Sequence, residues 1–119
     1  MNIRRGDIWM ANLTADPVET NGKVRPVVIV QNNVGNDCSN SFIAAIITSK
    51  KKKPMPTHVY MRMCCGLRKN STILCEHLVT LNQSMLISQI GTIVNTKYER
   101  LLNNALCVSL QLNGWRWNK

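Results

Sequence analysis

Acidic residues are scarce in this chain: six among 119, against fifteen Lys and Arg, for a formal net charge of +9. So few carboxylates leave little material for paired-carboxylate hydrolysis, although Asp7, Glu19 and Glu76 remain available for supporting roles. Long apolar runs are missing as well. No stretch approaches the roughly 20 apolar residues of a membrane-spanning helix. The opening Met1-Asn2-Ile3-Arg4-Arg5-Gly6-Asp7 places charge where a secretion signal would be apolar, so a cytoplasmic protein with no membrane partner is expected. The five cysteines (Cys38, Cys64, Cys65, Cys75 and Cys107) are odd in number and follow no framework spacing, which predicts reduced thiols and no disulfide. Cys75 and His77, two apart, are expected on one strand face with Cys64-Cys65 nearby. The chain has neither a C-x2-C nor an H-x3-H pair, so no metal and no cofactor is expected. Local motifs for a P-loop, a dinucleotide fold, a zinc protease or a nucleophile elbow are also missing.

What is present suits one small globular unit over residues 1–119. Apolar residues make up 45% of the chain, and a chain of this length buries about two-thirds of its unfolded surface. Most of it reads as strands. Ile8 and Trp9 open an alternating stretch over residues 7–12, and Val27-Val28-Ile29-Val30 and Phe42-Ile43-Ala44-Ala45-Ile46-Ile47-Thr48 are β-branched runs suited to buried strands. Residues 58–63, 71–78 and 86–93 complete about six. Turn formers fill two long connections, over residues 16–22 and 32–40, which read as loops. A helix is expected last. Thr96-Lys97-Tyr98-Glu99 fits a capping box in which the threonine hydroxyl and the glutamate carboxylate satisfy each other's amides. Tyr98, Leu101, Leu102, Ala105, Leu106 and Ser109 then recur at helical spacing. Trp9 is expected in the core or at a subunit interface, and Trp115 and Trp117, beyond the helix, are unassigned.

The charge balance points to a polyanionic partner. A run of four lysines, Lys50, Lys51, Lys52 and Lys53, stands in a connection between strands, and small antiparallel barrels are frequent scaffolds for nucleic acid. A basic run in a turn is also an ordinary solvated loop.

Five ordered blocks are more specific. Arg5-Gly6-Asp7-Ile8-Trp9, Lys23-Val24-Arg25-Pro26-Val27-Val28-Ile29-Val30-Gln31-Asn32, Ala44-Ala45-Ile46-Ile47-Thr48-Ser49, Pro56-Thr57-His58-Val59 and Ser71-Thr72-Ile73-Leu74-Cys75-Glu76-His77 together resemble the MazF/PemK toxins, from Arg4 to about Leu112. The resemblance implies an SH3-like β-barrel of the CcdB/MazF type with a C-terminal helix. It also implies a homodimer that cleaves single-stranded mRNA at a short sequence without a metal, as the toxin of a type II toxin-antitoxin system. Its cognate antitoxin would lay an acidic, flexible tail along the RNA groove.

By the same resemblance Arg25 and Thr48 are the catalytic residues. Metal-free RNA cleavage sends the 2′-hydroxyl onto the adjacent phosphorus, so charge must be stabilised on the phosphoryl oxygens. Arg25 suits that task by its planar fork of donors. A guanidinium, with an unperturbed pKa above about 12, is a poor proton donor, so the electrostatic role is preferred to that of general acid. Thr48 would hydrogen-bond the phosphate or orient the 2′-hydroxyl. Glu19, Lys23, Ser49, Lys50, Lys51, Lys52, Lys53, Thr57 and His77 are the candidate RNA-binding residues. His77 stands where the family often has glutamine, so it is expected to read a base or to take part in acid-base chemistry. Two other readings remain open: a CcdB-like toxin that inhibits a protein target, and an RNA-binding barrel without catalysis.

Overall fold

The structure, a computed structural model, describes residues 2–14 and 24–112. Six strands form one antiparallel sheet: β1 (Asp7–Asn12), β2 (Val24–Ile29), β3 (Ser41–Thr48), β4 (His58–Met61), β5 (Ser71–Asn82) and β6 (Leu86–Thr92). Their order across the sheet is β4-β5-β3-β2-β1-β6. A short α1 (Asn33–Cys38) lies between β2 and β3, and α2 (Lys97–Leu110) follows β6. The expected six strands and closing helix are present. The stretch expected as a loop over residues 32–40 instead holds α1, a single turn and a half started by the Asn32 side chain, which accepts from the Gly35 N–H at 2.8 Å. Its residues are poor helix formers, and the cap substitutes for propensity.

The strand alternation sorts apolar side chains onto two faces. Ile8, Val28, Ala45, Ile47 and Ile73 pack with Tyr98, Leu102, Ala105 and Leu106 of α2. Trp9, Ala11, Val27, Ile29, Ile46 and Leu74 build a second cluster with Phe42 and Leu81. Trp9 thus belongs to the core, and its Nε1 has no partner among the described residues.

The start of α2 differs in one detail from the expected capping box. Thr96 Oγ1 accepts from the Tyr98 N–H at 3.2 Å, but the Glu99 carboxylate accepts from Asn95 rather than Thr96. Asn95 is left-handed, at φ 66°, which turns its amide toward the helix start.

β5 runs to Asn82, four residues past its expected end, because of an interruption in its ladder with β3. Ala45 pairs with Leu78 while the next residue, Ile46, pairs with Leu74. Cys75, Glu76 and His77 therefore stand outside the ladder, a bulge that re-aims their side chains. Within it Cys75 is fully buried in the α2-side core, Glu76 is exposed and His77 is half-buried.

No ladder joins β4 to β6, so hydrogen bonds do not close the barrel among the described residues. The gap is bridged by backbone packing. The connection from β4 to β5 lies against β6 so tightly that a Cβ on Gly91 would fall 1.7 Å from the Cys65 carbonyl oxygen, and one on Gly66 would fall 1.9 Å from that of Ile90. Gly66 also sits at φ +92°, a conformation that disfavours side chains.

Candidate functional site

β2 explains where the site opens. Its ladder with β1 includes Arg25, opposite Ala11, but its ladder with β3 begins only at Val27, opposite Ile46. Pro26 has no N–H to donate to a ladder. Beyond it the ends of β2 and β3 are not tied together, and a cleft of about 520 Å³ occupies that end.

Met10, Pro26, Ile47, Leu67 and Ile90 give the cleft apolar walls. Its polar lining comes from Arg25, Arg68 and Lys69, with the hydroxyls of Ser49, Ser71 and Ser88. Arg25 is half-buried and has no side-chain hydrogen bond or ion pair within the described residues. Three cations face this space and no carboxylate lines it among the described residues. Such a cleft favours a ligand with both an anionic group and a flat apolar part.

Thr48 ends β3 directly beside Ser49 and is only 6% exposed. Thr48 does not itself line the cleft, but its chain neighbours Ile47 and Ser49 do. Thr48 Oγ1 accepts from the Lys50 N–H at 3.1 Å. That bond fixes the hydroxyl and leaves its proton to donate elsewhere. Ser49 is also a wall of a neighbouring hollow of about 470 Å³, which holds Lys50, Lys51 and Lys52. Lys53 is exposed and does not line it.

Two expected RNA-binding residues lie elsewhere. Thr57 is buried and donates to Glu76 Oε1 at 2.9 Å, while His58 Nε2 lies 2.8 Å from Glu76 Oε2. The Cys75 N–H donates to the Thr57 carbonyl at 2.9 Å, and Ser109 Oγ donates to the Cys75 carbonyl at 2.7 Å. These bonds join two sequence blocks through the β5 bulge and tie them to α2. Burial opposes ionisation of Glu76, but hydrogen bonds from His58, its own backbone and Thr57, with the His58 charge, hold the carboxyl below its ordinary value. His77, in the same bulge, does not line the Arg25 cleft.

Burial pushes the Cys75 thiol up to about 12, helped by the Glu76 charge. Cys64 and Cys65 have sulfurs 3.1 Å apart, and burial together with Cys64 pushes Cys65 up to about 11. No three His, Cys, Asp or Glu side chains gather at a metal-binding spacing among the described residues. Glu19, Lys23, Trp115 and Trp117 lie outside the described residues.

Arg68, Lys69, Ser71 and Ser88 escaped sequence reasoning. They line the cleft where Cys65-Gly66 seats on Ile90-Gly91. The glycines at 66 and 91 were the available signal, and nothing in one sequence pairs them.

Residues 4–110 match the family of PemK-like, MazF-like toxins of type II toxin-antitoxin systems. The chain belongs to that family. This MazF-like toxin is 38% identical, over 98% of both chains, to a Staphylococcus saprophyticus protein named Endoribonuclease MazF. Its fold is similar to that of an endoribonuclease in complex with its cognate antitoxin from a mycobacterial species. There the TM-score is 0.78 at 23% identity, covering 95% of this chain and 98% of that one. It is also similar to the Mycobacterium tuberculosis toxin MazF-mt6, with a TM-score of 0.76 and 26% identity over 92% of this chain and 99% of that one.

Proposed function

We propose that this MazF-like toxin is an endoribonuclease that cuts single-stranded RNA by attack of a ribose 2′-hydroxyl on the adjacent phosphorus. The oxygen–phosphorus bond to the next nucleotide breaks, leaving a cyclic phosphate and a free 5′-hydroxyl. The observation that carries the reading is the cleft in which Arg25, without an ion-pair partner among the described residues, stands with Arg68, Lys69 and Ser49, the residue after Thr48. A guanidinium held on a strand end can meet two phosphoryl oxygens at once and stabilise the charge that grows on them. The Thr48 hydroxyl, its lone pair already engaged by Lys50, donates to the phosphate or positions the 2′-hydroxyl. Ser49 and Lys50, Lys51, Lys52 and Lys53 hold flanking phosphates. By the family resemblance Glu19 and Lys23 are further candidate RNA contacts.

The working form is a cytoplasmic homodimer whose cognate antitoxin covers the basic groove with an acidic, flexible tail. The cluster of cations is the chemistry that such a tail would meet.

The test is to incubate the purified protein with a long RNA in EDTA and map the fragment ends. Discrete cuts ending in a cyclic phosphate, and reduced about 100-fold or more by Arg25→Ala, are expected. Thr48→Ala should be impaired less severely. Wild-type rates in both variants would remove the assignment of the site. Activity lost in EDTA and restored by one metal would overturn the metal-independent mechanism.

A further inference from the structure

The four residues of β4 alternate. Val59 and Met61 are buried in the α2-side core, and His58 is tied to Glu76. Tyr60 is left 60% exposed on an edge strand. A single exposed ring is ordinary in itself. This one is a wall of the hollow that also holds Lys50, Lys51, Lys52, Asn70 and Thr72, and that shares Ser49 with the Arg25 cleft.

The sheet register connects the same residues a second way. Thr72 pairs with Thr48 on one side and with Tyr60 on the other. Directly opposed residues in antiparallel strands share a face, so Thr48, Thr72 and Tyr60 form one transverse row. At about 4.8 Å per strand, Tyr60 stands about 10 Å from Thr48. Asn70 Oδ1 accepts from the Met63 N–H at 2.7 Å, which leaves its amide N–H groups as donors within the hollow. An aromatic face set among cations, with a donor at its margin, is the arrangement that holds an unpaired base and its phosphate.

We propose that Tyr60 is a stacking platform for one RNA base flanking the cut, in a nucleotide subsite completed by Thr72, Asn70 and the lysines. This rests on the nuclease reading above and adds to it a residue that selects and holds substrate without taking part in bond breaking.

The test compares wild type, Tyr60→Ala and Tyr60→Phe on an oligonucleotide containing a mapped cut site, after thermal melts confirm that all three fold. Stacking predicts that Tyr60→Ala raises KM about 5- to 100-fold with kcat within about 3-fold, and that Tyr60→Phe restores KM. In wild type, abasic replacement at one flanking position should raise KM as Tyr60→Ala does. In Tyr60→Ala the same replacement should cost nothing further. An unchanged KM in Tyr60→Ala, a Tyr60→Phe as impaired as the alanine variant, or additive losses at every position would overturn the subsite. Cutting that is still abolished by Arg25→Ala would meanwhile leave the nuclease reading standing. A wild-type protein that cuts no RNA would remove both.

Discussion

At the residue scale, the sequence blocks name two different kinds of cluster. Arg25 lines an open cationic cleft, with Thr48 next in chain to the Ser49 of its wall, whereas Thr57, His58 and Glu76 belong to a hydrogen-bonded knot. The knot predicts a pH dependence whose sign follows from its geometry. The folded carboxyl of Glu76 titrates below the unfolded one, so its stabilisation is complete above the ordinary carboxylate range and is lost as pH falls through the folded value. Glu76→Gln should therefore melt at a lower temperature than wild type near pH 7, and the gap should narrow as pH falls below the ordinary carboxylate range. A gap that stays constant across that range would show that the carboxylate charge contributes nothing. Chain position alone could not separate knot from cleft. Thr57 and Ser49 are equally polar and both lie near the lysine run, and only the β5 bulge decides that one hydroxyl faces a carboxylate.

At the element scale, the strands were legible because β-branched runs and alternation survive in any sequence that buries a sheet, and α2 was legible from its spacing of Tyr98, Leu102, Ala105 and Leu106. The bulge was not legible, because Leu74 through Leu78 reads like an unbroken strand. Nor was α1, where the Asn32 cap overrides poor propensity. The cleft's far wall was hidden for a related reason. It depends on two backbones meeting between the β4-β5 connection and β6, a contact that no side-chain pattern encodes. Gly91→Ala places a methyl 1.7 Å from a carbonyl oxygen. It should destabilise the fold by about 2 kcal/mol or more, read from urea unfolding, and should reduce cleavage beyond what the folded fraction explains as Arg68 and Lys69 shift. Full activity in a Gly91→Ala protein of wild-type stability would show that the contact does not position the wall.

At the scale of the whole molecule, the formal charge of +9 is not spread evenly. Arg25, Arg68 and Lys69 line one hollow and Lys50, Lys51 and Lys52 its neighbour, with Ser49 common to both. Binding to an uncleavable RNA should weaken with salt at a log-log slope of about −0.7 per phosphate neutralised. Changing Lys50, Lys51, Lys52 and Lys53 to Ser should flatten that slope and lower affinity for all sequences alike. An unchanged slope would mark the run as a solvated turn.

The seating of Gly66 on β6 also sets when activity can arise during synthesis. Met10 and Arg25 come from the first strands made, while Ser88 and Ile90, on the strand made last, complete the same cleft. A nascent chain whose β6 is still inside the ribosome holds Arg25 and Thr48 but neither the far wall nor the surface that fixes Arg68 and Lys69. On the nuclease reading proposed above, a nascent chain should therefore not cut RNA before β6 has emerged.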